Sequence, residues 1–209
     1  MRWMPPLAAL WLAFGLPASA QSVDVPAAVV AEHETASATR LIESARARTR
    51  IGEVYDPAYV SLAYPGGDVP NDRGVCTDVV IRAYRSLAID LQVEVHEDMR
   101  SHFARYPKRW GLTRTDRNID HRRVPNLETY FTRHGAALPV SQDAAAYRPG
   151  DLVTWRLPGN LPHIGIVSDR SSAEGTPLIL HNIGAGTVEN DILFAYPITA
   201  HFRYFPEPR

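Results

Sequence analysis

One cysteine and two histidines are the side chains in this sequence best placed to do chemistry. Cys76 is the only cysteine among 209 residues, and it stands where a polar loop gives way to apolar residues at helical spacing. The N-terminus of a helix presents unpaired N–H groups and the positive end of the helix dipole, both of which favour a thiolate. We therefore expect Cys76 to be a nucleophile; the alternative for an isolated cysteine is a small residue that fills the core.

A cysteine nucleophile needs a base within hydrogen-bonding distance and a polar group that orients the base. Of the eight histidines, His163 and His181 are the best placed, because they lie on consecutive predicted strands. Side-chain alternation puts His163 on one face with Gly165, and pairing of the two strands would bring both imidazoles together. We expect the Cys76 helix to pack across that face, with Gly165 leaving room for it. Taken singly, His163 could be a solvated turn residue and His181 a core histidine bonded to the backbone.

The first twenty residues have the pattern of a secretory signal peptide. Arg2 is followed by an almost wholly apolar run from Leu7 to Leu16, and a small-x-small pattern ends at Ala20. The run is too short to span a membrane, so we expect cleavage after Ala20, a periplasmic or secreted protein, and no membrane-spanning segment in the mature chain. An unpaired thiol in an oxidising compartment is kept when it is buried or used, which favours a role for Cys76.

The composition is that of an ordinary globular domain, with 45% hydrophobic and 22% charged residues. Lys and Arg number 22 against 23 Asp and Glu, so the net charge of −1 gives no overall attraction to nucleic acid. A single cysteine rules out an internal disulfide framework. We expect neither a cofactor nor a nucleic-acid partner.

Helical periodicity comes first along the chain, and strand-like alternation follows. Residues 21–39 are predicted to be a lead-in, loose as far as His33, and residues 40–206 a single domain. The predicted helices are Glu34–Arg50, Cys76–Ala88, Val95–Tyr106 and Pro125–Gly135, and the predicted strands are Asp151–Leu157, His163–Asp169, Pro177–Asn182 and Ile198–Phe205. This order predicts an α+β fold in which N-terminal helices pack on a C-terminal antiparallel sheet.

Two segments could bind a substrate. The turn-rich residues 53–70 precede the Cys76 helix and could build one wall of a groove, although a plain surface loop is the other interpretation. Residues 105–123 are rich in arginine, and one of these side chains, with Arg122 as our candidate, could bind a carboxylate through two parallel hydrogen bonds. A charged run of this kind is otherwise a solvated face.

The strings around these residues resemble known families. Cys-Thr-x-Val-Val at a helix start, Pro-Gly-Asp-Leu-Val-Thr-Trp, His-Ile-Gly-Ile-Val and a strand ending in His are similar to the NlpC-type branch of papain-like cysteine peptidases and amidases. Longer strings, such as Asp-Arg-Gly-Val-Cys-Thr-Asp-Val-Val-Ile-Arg-Ala-Tyr and Asn-Ile-Asp-His-Arg-Arg-Val-Pro-Asn-Leu, resemble bacterial sequences collected as domain of unknown function 1287 (DUF1287). The similarity covers about residues 40–206.

The resemblance implies a papain-like fold and an acyl-transfer hydrolase that cuts an amide bond, typically in the peptides of the bacterial cell wall. It makes Cys76 the nucleophile, His163 the general base and acid, and His181 the orienting third group. Asn182 is the alternative third group, because papain-like enzymes elsewhere use asparagine, although alternation points it to the other face of the strand. Tyr55 could help the Cys76 N–H to hold the oxyanion, or simply pack. The expected partner is a peptidoglycan stem peptide or another small peptide.

The sequence departs from the NlpC pattern beside the nucleophile. That pattern has Asp-Cys-Ser-Gly, whereas Val75 precedes the cysteine here and Asp78 replaces the glycine. Asp78 could bind a substrate amine or cap the helix start.

Two other functions remain open. Cys76, His163 and His181 have the composition of a three-ligand zinc site, and the fold could serve as a cell-wall-binding module without turnover.

Overall fold

The computed structural model describes residue 1 and residues 26–206. The predicted signal peptide, with its cut after Ala20, lies outside this part of the chain and stays a prediction. Within the described residues, no helix is both long enough and apolar enough to cross a membrane.

The described residues contain four α-helices: α1 Ala27–Arg48, α2 Cys76–Arg85, α3 Leu91–His102 and α4 Val124–Arg133. The lead-in predicted for residues 21–39 is wrong from Ala27 onward, because α1 begins there. The first turns of α1 are rich in alanine, a strong helix former, but they are mostly exposed and so show no apolar stripe. Further along, Leu41 and Ile42 are buried, and only this part of the helix carries the expected periodicity.

The start of α3 is set by a side-chain cap. Asp90 Oδ1 accepts the N–H of Gln92 at 3.1 Å, so the helix begins at Leu91 and not at the predicted Val95. It ends at His102, and a 3₁₀ turn, Phe103–Arg105, follows. Helices α2 and α4 lie close to their predicted positions.

One six-stranded antiparallel sheet follows the helices. Its strands are β3 Ala137–Leu138, β4 Leu152–Leu157, β5 Leu161–Ser171, β6 Pro177–Asn182, β7 Thr187–Asn190 and β8 Ile198–Phe202, in the order β3-β8-β4-β5-β6-β7. A separate parallel pair joins β1 Val54–Tyr55 to β2 Arg73–Gly74. The four predicted strands are confirmed as β4, β5, β6 and β8. The sequence pattern does not predict the short strands β3 and β7.

Helices cover one face of the sheet, and loops cover the other. The helix face carries Ile164, Ile166 and Leu180, which pack in the larger core with residues of α1, α2 and α4. The loop face consists of Tyr147, Val153, Trp155, Val167, Ile179 and Leu193. Because both faces are buried, β5 and β6 read as nearly continuous apolar runs. The predicted α+β fold, with N-terminal helices on a C-terminal antiparallel sheet, is confirmed.

The two candidate histidines lie on the loop face. Alternation along β5 puts His163 on the same side as Val167, whereas α2 packs on Ile164 and Ile166. The prediction that the Cys76 helix packs across the histidine face is therefore wrong. Isoleucines offer α2 a continuous apolar surface, and the opposite face is interrupted by a glycine and two imidazoles.

Candidate active site

Cys76 is the first residue of α2, and a side-chain cap holds that helix start in place. Asp78 Oδ2 accepts the N–H of Val75 at 2.7 Å, and the Asp78 N–H bonds to Val75 O at 3.0 Å. Thr77 Oγ1 donates to the carbonyl of Arg122 at 3.2 Å, which ties the same turn to the segment before α4. Of the two interpretations of Asp78, the helix cap is the one observed.

The thiol of Cys76 is buried, with 6% of the residue exposed. Burial raises its pKa to about 12, although the backbone N–H groups of Ile164, Thr77 and Cys76 itself act in the opposite direction. The N–H groups of the helix N-terminus favour the thiolate, but desolvation has the larger effect, so Cys76 is a neutral thiol at neutral pH.

A chain of hydrogen bonds on the loop face links His163, His181 and Asn190. Strands β5 and β6 pair, and His163 Nε2 lies 3.1 Å from His181 Nδ1. Asn190 on β7 completes the chain, with its Oδ1 2.7 Å from His181 Nε2. The two rings meet edge to face at an interplanar angle of 87°. The prediction that the two imidazoles lie together is confirmed.

This chain determines which nitrogens carry protons. A carbonyl oxygen can only accept, so Asn190 Oδ1 accepts the N–H of His181 Nε2. A neutral His181 then has its lone pair on Nδ1, which accepts the N–H of His163 Nε2. His163 therefore keeps an unprotonated Nδ1, which is the form that a general base needs.

Burial keeps His163 neutral. The residue is 2% exposed, and desolvation lowers its pKa to about 3, with the neighbouring His181 acting in the same direction. Burial also lowers the pKa of His181, partly opposed by its bond to Asn190. Trp155 lies directly across from His163 on β4, with ring centroids 5.8 Å apart, and shields it. The resting site thus combines a neutral thiol with a neutral base.

Cys76 lies near the backbone of β5 beside His163. The N–H of Ile164, the residue after His163, is close enough to the Cys76 sulfur to lower the pKa of the thiol. Pro162, the residue before His163, lines the same cleft as Cys76. The nucleophile therefore lies beside the stretch of backbone that carries the His163 ring.

Gly165 makes room for His181. A Cβ at this position would lie 2.5 Å from Ile179 Cγ2 and 3.2 Å from His181 Cβ. The predicted reason for this glycine, close approach of the Cys76 helix, is wrong, because the crowded side is the loop face. A side chain at position 165 would displace the imidazole that His163 is bonded to.

A cleft of about 440 Å³ opens beside Cys76. The turn-rich segment builds one wall through Tyr55 and Tyr59, and the arginine-rich segment builds another through Trp110 and Arg123. The interpretation of residues 53–70 as a groove wall is therefore confirmed. A cavity of this volume is in the range of sites for small ligands.

Tyr55 lies in the cleft with Cys76, as an oxyanion donor would have to. The residue is 40% exposed. Partial burial raises the pKa of its hydroxyl, and the nearby Cys76 and Asp78 add to this effect. The hydroxyl is therefore a proton donor at neutral pH.

Arg122 and Asp78 are bound to each other. Two parallel hydrogen bonds, Nε to Oδ1 and Nη2 to Oδ2, each measure 2.9 Å, and both side chains are 3% exposed. Arg122 Nη1 also donates to Ala58 O at 3.2 Å, which joins α2 to the groove wall. The guanidinium fork and the carboxylate are thus occupied by each other, and the predicted substrate roles of both residues stay predictions.

Asn182 is fully buried on the helix face. Its Nδ2 donates to Gly74 O at 3.4 Å, and its Oδ1 accepts the Gly184 N–H at 3.1 Å. Neither the alternative role as third group nor the tentative role in substrate binding fits this position, because the strand directs Asn182 away from His163. The group bonded to His163 is the imidazole of His181.

The three candidate residues do not fit a zinc centre. His163 Nε2 and His181 Nδ1 are bonded to each other, and His181 Nε2 is bonded to Asn190, so these nitrogens are not free to bind a metal together. Across the described part of the chain, no group of three or more His, Cys, Asp or Glu side chains is arranged to hold a metal ion.

Sequence reasoning misses two residues of this site, Asn190 and Trp110, and within the arginine-rich segment it selects Arg122 rather than Arg123 as the candidate. Asn190 pairs with Ile179 across β6 and β7, and this register places it on the histidine face. The sequence can place Asn190 beside the histidines only if residues 187–190 are first recognised as a strand. The signal for Trp110 is a bulky apolar side chain within a polar, arginine-rich segment.

Two solved structures resemble this chain distantly. "Structure of NlpC1 from Trichomonas vaginalis" matches 81% of this chain with a TM-score of 0.44 at 17% identity, and this chain spans 45% of that longer one. An N-acetylmuramoyl-L-alanine amidase from Bacteroides uniformis ATCC 8492 matches 80% of this chain and 98% of its own, with a TM-score of 0.46 at 13% identity.

Comparison of sequences finds a relative with much higher identity. A protein of Escherichia coli (strain K12), described as uncharacterized protein YijF, is 54% identical over 189 residues, which cover 90% of this chain and 91% of that protein. The family model described as Domain of unknown function (DUF1287) matches residues 42–204, close to the range inferred from the sequence strings. This chain therefore belongs to the DUF1287 family.

Proposed function

We propose that this protein is an exported cysteine hydrolase that cuts an amide bond in a peptide of the bacterial cell wall, by acyl transfer through Cys76. One observation carries the proposal. The hydrogen bonds from Asn190 through His181 to His163 leave an unprotonated nitrogen on a residue whose neighbour, Ile164, touches a thiol in a cleft. Core packing alone requires neither the thiol nor the ordered imidazoles.

The proposed first step is attack of the Cys76 sulfur on the carbonyl carbon of the amide. His163 Nδ1 takes the thiol proton during the attack, because burial disfavours the charged form of either residue in the resting site. His181 Nδ1 accepts the N–H of the resulting imidazolium, and Asn190 holds His181 in that orientation. His181 and Asn190 act as positioning residues.

The tetrahedral intermediate carries a negative oxygen, and donors must lie where this charge develops. The proposed donors are the Cys76 N–H at the start of α2 and the Tyr55 hydroxyl in the same cleft. The His163 imidazolium next gives its proton to the leaving amine as the carbon–nitrogen bond breaks. Water, activated by His163, then attacks the thioester, and the products are an amine and a carboxylic acid.

The choice of a cell-wall peptide as the substrate rests on features of the sequence. A signal-peptide pattern would take the protein to the periplasm or the medium, and the nucleophile and strand motifs resemble NlpC-type enzymes. A cleft of about 440 Å³ suits a short peptide such as a peptidoglycan stem.

The proposal is tested with purified peptidoglycan and isolated stem peptides, incubated with the wild-type protein and with Cys76→Ala. Mass spectrometry of the wild-type reaction should detect fragments with a new amine and a new carboxyl end. The Cys76→Ala reaction should match the protein-free background, because the nucleophile is gone. Equal fragment release from the two proteins would contradict a thiol hydrolase acting on this substrate.

The same assay separates the two competing functions. A thiol enzyme should be stopped by an alkylating agent and unaffected by a metal chelator, whereas a zinc enzyme should respond to the chelator. A binding module should sediment with peptidoglycan as wild type and as Cys76→Ala without releasing fragments from either mixture.

A further inference from the structure

One charged side chain in the cleft beside Cys76 has no ionic partner within the described part of the chain. Of the two arginines that line the cleft, Arg122 is bound to Asp78, whereas Arg123 forms no ion pair with another described residue. Arg123 Nη1 is buried and makes no hydrogen bond to the described protein atoms. Buried donors in folded proteins almost always have an acceptor, so this nitrogen indicates an acceptor that residues 26–206 do not supply.

Trp110 holds the Arg123 guanidinium at the cleft wall. The Arg123 Cζ atom lies 5.1 Å from the centre of the Trp110 ring, within the range of a cation–π contact. Trp110 is 59% exposed and has a φ of +53°, a conformation that bulky residues seldom adopt. The chain thus keeps a large aromatic ring at the cleft against its backbone preference, as occurs at ligand-binding sites.

The opposite wall of the cleft is also ordered. The Tyr59 hydroxyl donates to Asp116 Oδ2 at 2.9 Å and accepts from Asn118 Nδ2 at 2.7 Å, which fixes the ring that faces the cleft. Of the described residues that line the cleft, none is a carboxylate, so the charged groups there are guanidinium groups alone. This charge and these aromatic walls favour an anionic ligand.

We propose that Arg123 and Trp110 form a carboxylate-binding subsite, so that the enzyme prefers peptides with a free carboxylate near the amide bond that is cut. This inference rests on the proposed function of the cleft as an active site. The Arg123 guanidinium donates a charge-assisted hydrogen bond to the carboxylate, and Trp110 keeps the guanidinium in place. Peptidoglycan stem peptides, which contain glutamate and a diamino acid, carry such carboxylates.

The test compares two stem peptides of identical sequence, one with free carboxylates and one with the carboxylates converted to primary amides. Wild-type kcat/KM should be about 10- to 100-fold higher for the free carboxylate, the range expected for a hydrogen bond to a charged group. Arg123→Gln should remove this preference, so that kcat/KM becomes equal for the two peptides. Arg114→Gln is the matched control, because Arg114 is exposed on the same segment and does not line the cleft.

A binding measurement keeps the two proposals separate. Cys76→Ala should bind the carboxylate peptide at least about 10-fold more tightly than the amidated peptide, and the added change Arg123→Gln should abolish the difference. If wild type cuts both peptides equally well, the subsite is overturned and the hydrolase function stands. If wild type cuts neither, the hydrolase function fails for these peptides. The binding measurement with Cys76→Ala, made by calorimetric titration, then decides whether the subsite exists. Selective binding then supports the subsite, and equal or undetectable binding overturns it.

Discussion

Two histidine clusters lie on the loop face of the same sheet, and their partners make them different. His163 bonds to a second, neutral imidazole, that of His181, at 3.1 Å. His201 bonds to Asp151 at 2.7 Å, and Arg203 donates two further hydrogen bonds of 2.8 Å to the same carboxylate. His163 and His201 are both 2% exposed, so burial does not distinguish them. The chemical nature of the partner does.

A neutral partner in a desolvated site favours the uncharged base, as at His163, whereas the partner of His201 is a carboxylate that two hydrogen bonds also join to Arg203. His201 also packs against Tyr147, with ring centroids 4.4 Å apart. We interpret the Asp151 cluster as a structural ion-pair network and the His163 cluster as the chemical one. Three experiments test this distinction.

The largest expected effect is on catalysis at His163. His163→Gln keeps a polar side chain of similar size but removes the base, so kcat/KM for stem-peptide hydrolysis should fall by about 10³-fold. His201→Gln should change kcat/KM by no more than a few fold, once the rate is normalised to the folded fraction measured by circular dichroism. Equal losses in the two variants would show that the clusters do not differ in the way we infer.

The next largest effect is on stability at Asp151. Asp151→Asn removes a fully buried carboxylate and leaves Arg203, whose side chain is 19% exposed, without its charge partner, so the free energy of unfolding should fall by about 3 kcal/mol. Urea denaturation measures this change. Asp169→Asn is the matched control, because Asp169 pairs with Arg46 but is 49% exposed, and its loss should be below about 1 kcal/mol. If Asp151→Asn lowers the free energy of unfolding no more than Asp169→Asn does, the inferred structural role of this network is contradicted.

The smallest effect concerns the pH dependence of stability. Burial lowers the pKa of His163 from 6.5 to about 3, so below pH 6.5 the unfolded chain binds a proton that the folded chain does not. The stabilising effect of a neutral His163 is therefore complete above about pH 6.5 and is lost as the pH falls toward 3. His163→Gln should reduce the slope of unfolding free energy against pH in this window by about 1.4 kcal/mol per pH unit.

Urea denaturation of wild type and His163→Gln at several pH values between 4 and 7 measures this slope. His181 and His121, whose pKa values burial also lowers, stay in the variant, so its stability should still decrease in acid. Parallel curves for the two proteins would indicate that His163 is solvated or already protonated in the folded state.

Secondary structure is predictable from this sequence where apolar periodicity is uninterrupted. Helices α2 and α4 and the strands β4, β5, β6 and β8 meet that condition. Strand β7 does not, because its four residues, Thr187–Asn190, include a single apolar side chain. The exposed first turns of α1 fail for the same reason, since helices without a buried face leave no apolar pattern.

Two adjacent arginines show where local reasoning ends. Arg122 and Arg123 are equivalent as sequence, and both lie in an arginine-rich segment next to a helix start. A contact with Asp78, 44 residues earlier in the chain, occupies the first. The second lines the cleft and has one guanidinium nitrogen without a partner among the described residues. Once the fold is known, the arginine proposed to bind a carboxylate is therefore Arg123 and not Arg122.

By itself, the sequence determined which residues are candidates for chemistry, because Cys76, His163 and His181 stand out by residue type and local position. Only the tertiary structure decided that the imidazoles face away from the helices, that Asn190 sets their protonation, and that thiol and imidazole rest uncharged. Strand register and desolvation control these properties. Both arise from contacts between residues that are distant in the chain, and local sequence patterns do not record them.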